Sequence, residues 1–185
     1  MSMREMSMRG MSMRNLAIAA CMLALAAGAA YAESPRLGRP ISKADLAEWD
    51  INILPDGQNL PPGRGTAAQG AKIFAEKCAL CHGENGQGGH AARLIGGPAK
   101  ASLDPGSKTI ANYWPYATTL FDLIRRAMPF TQPRSLTDDE VYALTAYILA
   151  ENKLIGENDE INAATLPKVR MPNRDNFVPQ YPDRM

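Results

Sequence analysis

The feature of this sequence that most constrains its fold is the segment Cys78-Ala79-Leu80-Cys81-His82. Two thiols three residues apart at the end of a helix face the same way. Each can bond to one vinyl group of a single porphyrin, and the histidine that follows is then placed beneath the iron. The pattern therefore predicts a domain that folds around one covalently attached haem c (heme c), held by Cys78, Cys81 and His82.

Three other uses of the cysteine pair remain open. A zinc site needs four ligands, and beyond this cluster only His90 is available, with no second cysteine pair. A redox dithiol favours a βαβ setting, which the surrounding pattern does not provide. A disulfide suits an exported protein, but it leaves the adjacent His82 without a role.

The first 32 residues have the three zones of a secretory signal in the right order. Residues 1–15 form a basic leader, residues 16–30 are rich in Ala and Leu, and Ala30-Tyr31-Ala32 is a small-x-small cleavage pattern. We predict cleavage after Ala32 and a mature protein in the periplasm, with no membrane anchor. The alternatives are an uncleaved anchor over residues 16–32, at the lower limit of length for a span, and a lipid anchor at Cys21.

The numbers of positive and negative residues are nearly equal, which argues against a nucleic-acid partner. The 185 residues include 20 Lys or Arg and 19 Asp or Glu, and removal of residues 1–32 leaves 17 basic and 18 acidic residues. This balance is not that of a nucleic-acid binder. Aromatic residues make up only 6% of the chain. A small domain with so few rings often needs something besides side chains at its centre, which favours a cofactor.

The pattern along the chain predicts an all-α haem domain over residues 65–156, with an N-terminal arm over residues 33–64 and a C-terminal tail over residues 157–185. Helices are predicted from Thr66 into the cysteine motif, over residues 116–127 up to Pro129, and after the capping box that Thr137 begins. The arm and the tail are rich in proline. In the arm we expect a short helix capped by Ser42 and a strand over residues 49–53.

The second axial ligand decides between electron transfer and chemistry at the iron. Met128 follows the second helix, and Pro129 pushes it out of helical geometry. A thioether ligand favours Fe(II) and raises the reduction potential. We predict His82 and Met128 as the axial pair. Three alternatives stay open: Met128 as core filler at a helix end, and either Met171 or His90 as the ligand.

Further contacts to the cofactor are predicted in two places. Tyr113, Trp114 and Tyr116 lie in one short aromatic segment and can contact the haem edge and its propionates. The alternative for these rings is packing at the start of a helix. Arg93 is a candidate to neutralise a propionate, with an ordinary exposed arginine as the alternative.

With these residues the sequence resembles a class I cytochrome c. Gly70, Phe74 and Tyr147 match the positions at which that fold crosses its terminal helices, and His82 and Met128 match its axial pair. The resemblance implies a class I cytochrome c haem domain and a role in electron transfer.

Further segments extend the similarity over nearly all of residues 49–178. They are Trp49-Asp50-Ile51, Pro55-Asp56-Gly57, Leu60-Pro61, Tyr113-Trp114-Pro115-Tyr116-Ala117-Thr118, Arg125-Arg126-Ala127-Met128-Pro129-Phe130, the stretch over residues 135–143, and Met171-Pro172-Asn173-Arg174-Asp175. In them the sequence is similar to the cytochrome subunit of periplasmic sulfane and sulfite dehydrogenases of the sulfur-oxidation type. Some members of that family carry two haems, whereas this sequence has one attachment motif.

This second resemblance implies an electron-transfer subunit and not an enzyme in its own right. Its partners would be a molybdopterin-containing sulfur dehydrogenase subunit, from which it accepts electrons, and a downstream cytochrome or oxidase. Two other functions stay open. One is a general periplasmic carrier that feeds a terminal oxidase. The other is catalysis or ligand sensing at an open iron site, which requires Met128 to be absent from the iron.

Overall fold

The computed structural model describes residues 13–30, 37–47, 49–98, 101–102 and 104–178. The chain divides into two compact units, and the division in the sequence falls between Trp49 and Asp50. The first unit contains helix α1 (Met13–Ala30), which covers the predicted apolar run, and helix α2 (Lys43–Ala47). Within the described part of the chain, no helix is long and apolar enough to cross a membrane. The predicted cleavage site after Ala32 lies outside the described residues.

Helix α2 confirms the expected cap at Ser42. The Ser42 hydroxyl accepts a hydrogen bond from the Asp45 N–H at 3.1 Å and donates one to Asp45 Oδ2 at 2.7 Å. The first bond satisfies an N–H that the first turn of a helix leaves free, and the second lowers the pKa of the Asp45 carboxyl.

The second unit is mostly helical. Its elements are β1 (Arg64–Thr66), α3 (Ala67–Lys77), α4 (Ala79–His82), α5 (Ile110–Tyr113), α6 (Ala117–Ala127), α7 (Asp138–Glu151) and β2 (Glu160–Asn162), with single 3-10 turns at Pro105–Ser107, Leu166–Lys168 and Arg174–Asn176. β1 and β2 pair antiparallel, with Gly65 opposite Ile161. The all-α class I architecture is confirmed.

The strand predicted over residues 49–53 is wrong. This stretch has no ladder in the structure and leads into turns, in which the Gly57 N–H donates to the Leu54 carbonyl at 3.0 Å. A strand needs a neighbour with which to pair, and the pairing found in the second unit joins β1 to β2 instead.

Two capping boxes fix where the long helices begin. At the start of α3 the Thr66 N–H donates to Gln69 Oε1 at 2.9 Å, and at the start of α7 the Thr137 N–H donates to Glu140 Oε2 at 2.8 Å. In both helices the hydroxyl accepts the N3 backbone N–H in return. The helix starts predicted from Thr66 and Thr137 are therefore confirmed.

Three consecutive acidic residues at the start of α7 each contact a different helix or strand. Asp138 accepts from Arg125 of α6 (3.1 Å), Asp139 accepts the backbone N–H of Arg64 in β1 (2.8 Å), and Glu140 pairs with Lys77 of α3 (2.6 Å). The bond from Lys77 lowers the pKa of the Glu140 carboxyl. Contacts at the N-terminus of α7 thus connect it to α6, β1 and α3.

Helices α3 and α7 cross with their backbones in contact. A Cβ at Gly70 would lie 2.0 Å from the Ala143 carbonyl oxygen, and a Cβ at Gly65 would lie 2.2 Å from the Ala143 nitrogen. Beside the crossing, the rings of Phe74 and Tyr147 lie 5.1 Å apart between centroids. Only glycine permits so close an approach, which agrees with the crossing that the cytochrome resemblance implies.

The segments predicted as arm and tail contribute to the same core as these helices. Ile53 from the arm and Ile161, Leu166 and Met171 from the tail are buried in it. The Tyr142 hydroxyl of α7 also donates to the Pro61 carbonyl at 2.8 Å. The compact unit therefore begins at Asp50 and includes the described part of the tail. Isolated apolar residues in a proline-rich segment have no periodicity, so the sequence pattern did not show this packing.

Candidate functional site

The two cysteines lie on either side of one helical turn. Cys78 follows the last residue of α3, and its N–H donates to the Phe74 carbonyl at 2.9 Å. The His82 N–H in α4 donates to the Cys78 carbonyl at 3.0 Å. Both thiols are free. Cys78 is half-buried against the apolar core, whereas Cys81 is exposed. The turn therefore presents one thiol at the core and one at the surface, with the imidazole of His82 directly after them.

The electrostatics of Cys78 do not suit the attacking thiol of a redox dithiol. Burial raises the pKa of its thiol to about 11, and the positive charge of Lys77 offsets this only in part. Redox-active cysteines need a lowered pKa, because the thiolate is the reacting form.

The ring of His82 is oriented by a backbone carbonyl. His82 Nδ1 lies 2.7 Å from the Ala92 oxygen. A carbonyl oxygen only accepts, so Nδ1 carries a ring hydrogen, and in the neutral imidazole the lone pair is then on Nε2. This is the tautomer that a metal ligand needs, with its other nitrogen fixed by a hydrogen bond. No sequence pattern pointed to Ala92, because a backbone acceptor has no side-chain signature.

The glycine-rich loop after His82 folds back onto the attachment turn. The Gly88 N–H donates to the His82 carbonyl at 2.8 Å, and the Ala91 N–H donates to the Cys81 carbonyl at 2.9 Å. At Gly83 the backbone φ is +85°, and a Cβ there would lie 2.6 Å from the Gly88 oxygen. His90 lies on this loop between two anchored residues and is exposed.

The donor set of this segment fits a haem c. It offers two free thiols three residues apart and an imidazole whose Nδ1 is bonded to a carbonyl, which leaves Nε2 as the nitrogen that can ligate iron. Among the residues that the structure describes, no three His, Cys, Asp or Glu side chains are grouped so that they could hold a metal ion. Zinc therefore fits the described part of the chain poorly.

The two candidate methionines differ in burial. Met128 follows the last residue of α6 with φ −117° and ψ 145°, and it is half-buried at the edge of the core, as are Cys78 and Trp114. Met171 is 1% exposed inside that core. A distal ligand must border the space that the porphyrin fills, and the side chain of Met171 is enclosed by protein atoms. Cys78, Trp114 and Met128 each pack, half-buried, against the same apolar core.

The ring of Tyr113 contacts the tail. Its centroid lies 5.5 Å from that of Phe177 in an edge-to-face arrangement, and Lys108 Nζ lies 4.7 Å from the same ring centroid. The Tyr113 carbonyl accepts a hydrogen bond from Asn173 Nδ2 at 2.7 Å. The segment over residues 173–177 therefore fastens the start of the aromatic segment, which the sequence pattern did not show.

Tyr116 contacts an arginine side chain, whereas Arg93 is exposed. The guanidinium of Arg174 lies 5.3 Å from the ring centroid of Tyr116, within the range of a cation–π contact. Arg93 is exposed on the loop, next to the Ala92 carbonyl that His82 uses. Contacts of Tyr113, Trp114, Tyr116 and Arg93 with a haem stay predictions.

Comparisons with known proteins agree on one family. A sequence model described as Cytochrome c matches residues 67–151. Among solved structures, one chain of the crystal structure of the sulfane dehydrogenase SoxCD from Paracoccus pantotrophus is 37% identical, with a TM-score of 0.71. That match covers 82% of this chain and 75% of the other.

Two curated proteins are also similar over shorter stretches. The thiosulfate dehydrogenase of Stutzerimonas stutzeri (strain A1501) is 29% identical over 54% of this chain and 35% of its own length. The cbb3-type cytochrome c oxidase subunit FixP of Azorhizobium caulinodans is 31% identical over 60% of this chain and 36% of its own length. The chain thus spans about a third of the length of these curated relatives.

Proposed function

Because this chain belongs to the cytochrome c family, we propose that it is a monohaem electron-transfer subunit that accepts electrons from a molybdenum sulfane or sulfite dehydrogenase. It would pass them to another cytochrome or to an oxidase. The observation that carries the proposal is the likeness to SoxCD, which covers 82% of the chain. The general family match stops at residues 67–151. The likeness is therefore wider than the haem domain that all such cytochromes share.

Cys78 and Cys81 would hold the haem, and His82 would ligate its iron through Nε2. The bound haem supplies an iron that exchanges one electron at a time. The chain's own part is to bind and to orient: the Ala92 carbonyl fixes the imidazole, and the half-buried Cys78 and Trp114 adjoin the apolar core. We infer one haem because the sequence has one attachment motif.

Met128 is the proposed second axial ligand. Its half-buried position at the end of α6 supports this role, and the enclosure of Met171 in the core argues against the other methionine. A sulfur ligand favours the reduced iron and so gives a potential suited to accepting electrons from a reducing enzyme.

If His82 and Met128 both ligated the iron of a bound haem, no coordination site would be left for a substrate. Oxidation of sulfite or sulfane sulfur removes electrons in pairs, whereas the iron cycles by one. We therefore propose that the chain does not oxidise a sulfur compound itself and that a molybdenum subunit makes and breaks the bonds. Catalysis or ligand sensing at the iron would require Met128 to leave it.

A second candidate is a general carrier that delivers electrons to a terminal oxidase. The likeness to an oxidase subunit, FixP, favours it, although that match covers less of the chain than the SoxCD match does. Under either function we propose export to the periplasm with cleavage after Ala32, which the order of the leader zones supports.

Stopped-flow reduction of the purified ferric protein tests this function. The protein is mixed with sulfite or thiosulfate, alone or with a purified molybdenum sulfane dehydrogenase subunit. We expect rapid reduction only when both substrate and molybdenum subunit are present. Rapid reduction by substrate alone would make the chain itself catalytic, and equal rates with unrelated electron donors would favour the general carrier.

A further inference from the structure

We propose that Asn152 is a positioning residue for the axial histidine, because its side chain fastens the loop that carries the hydrogen-bond acceptor of His82. The inference rests on the proposed function, since it takes His82 to be an iron ligand. It assigns to the C-terminus of α7 a role in setting the electronic properties of the haem.

Asn152 follows the last residue of α7. Both the nitrogen and the oxygen of its side-chain amide make hydrogen bonds. Nδ2 donates to the Leu94 carbonyl at 2.9 Å and to the Ile148 carbonyl at 2.8 Å, and Oδ1 accepts the Gly96 N–H at 2.9 Å. The side chain is half-buried. A carboxamide can donate to two carbonyls and accept from an N–H at once, which neither a carboxylate nor an aliphatic side chain can do.

The loop bound by Asn152 is the one that orients His82. Ala92, whose carbonyl accepts from His82 Nδ1 at 2.7 Å, lies two residues before Leu94. Local bonds within the loop also hold this stretch: the Leu94 N–H donates to the Gly86 carbonyl at 2.9 Å. Asn152 adds a connection of another kind, because it ties Leu94 and Gly96 to a helix more than 50 residues further along the chain.

How firmly this loop is held affects the reduction potential of the iron that His82 would ligate. The hydrogen bond from Nδ1 to a carbonyl raises the basicity of the imidazole and fixes its orientation, as outer partners of metal-bound histidines do. A more basic imidazole stabilises Fe(III) relative to Fe(II). If the loop opens more often, the His82 hydrogen bond is broken for a larger fraction of the time, and the reduction potential rises.

Asn162 provides a matched control. It is half-buried in β2, and its Oδ1 accepts the N–H groups of Ala164 at 2.9 Å and Thr165 at 3.1 Å. These bonds are local to the tail and do not involve the loop around Ala92. Asn162→Ala therefore removes a comparable set of hydrogen bonds without touching the partner of His82.

The test compares Asn152→Ala and Asn162→Ala in the full haem-loaded protein. Nuclear magnetic resonance of the reduced form measures the exchange of the His82 Nδ1 hydrogen with solvent, and redox titration measures the potential. We expect exchange in Asn152→Ala to be faster by about tenfold or more, since the loop loses its bonds to α7. Its potential should rise. In Asn162→Ala both quantities should stay at the wild-type values.

Unchanged exchange and potential in Asn152→Ala, or equal changes in Asn162→Ala, would overturn the inference. If Asn152→Ala does not fold, Asn152→Gln serves in its place. It keeps the amide one methylene further out, and we expect a smaller change in the same direction; no change in it would also refute the inference. A wild-type protein in which His82 does not ligate iron would instead refute the proposed function, and this is seen before any variant is made.

Discussion

Substitution of Gly70 by alanine should destabilise the protein, although alanine is the better helix former. On helix propensity alone the change would stabilise α3 by about 1 kcal/mol. The added Cβ, however, would lie 2.0 Å from the Ala143 oxygen and 2.6 Å from its carbonyl carbon. These are backbone atoms of α7, which cannot rotate away as the end of a side chain can, so the helices must separate.

The size of the effect follows from these two opposing contributions. Overpacking of a well-packed contact costs about 1–3 kcal/mol, and a clash with backbone belongs at the upper end of that range. After the gain in propensity, we expect Gly70→Ala to lower the free energy of unfolding by about 2 kcal/mol. Guanidinium unfolding of the haem-loaded protein, followed by circular dichroism, measures this directly.

Ala75→Gly is the matched control. Ala75 is exposed in the interior of the same helix, so its replacement removes only helix propensity, at a cost of about 1 kcal/mol. A Gly70→Ala protein that is as stable as the wild type, or more stable, would refute the close crossing of α3 and α7.

Three further predictions concern the ligand, the tail and acid stability. Met128→Ala should abolish the far-red sulfur-to-iron absorption band of the oxidised protein, and Met171→Ala should leave it; the reverse would exchange the two roles. Leu166→Ala, at a site that is 0% exposed, should cost about 2–5 kcal/mol in chemical unfolding, whereas a loosely attached tail would show no measurable change. Lys77 lowers the pKa of Glu140 below its ordinary 4.5, so the pair contributes stability above that pH and loses it as the pH falls further. Unfolding measured across this range should show a smaller acid loss for Glu140→Gln, and an identical loss would contradict the pairing.

Local signals in the sequence predicted much of the fold and the centre of the site. The capping residue Thr137 marks the start of α7, and Pro129 marks the end of α6, because caps and prolines act on the backbone next to them. Gly70 indicated the helix crossing only through the resemblance to class I cytochrome c, and not as a local signal. The cysteine motif specifies its chemistry within five residues.

The remaining features depend on tertiary contacts that no local pattern encodes. The acceptor of His82 is the backbone of Ala92, and any residue type has such a carbonyl. Leu166 is buried from a proline-rich segment that lacks periodicity, so the tail looked separate from the domain. No sequence pattern marked Asn152, since its partners Leu94 and Gly96 are brought to it only by folding.

The roles of His82, Met128 and Asn152 all depend on one haem bound covalently at Cys78 and Cys81. The intact mass of the protein purified under denaturing conditions from the periplasm measures this most directly. We predict the mass of a chain that begins at Glu33 plus one haem, and the mass of the bare chain for the double variant Cys78→Ser with Cys81→Ser. A wild-type mass without haem, or with two, would contradict the proposed site.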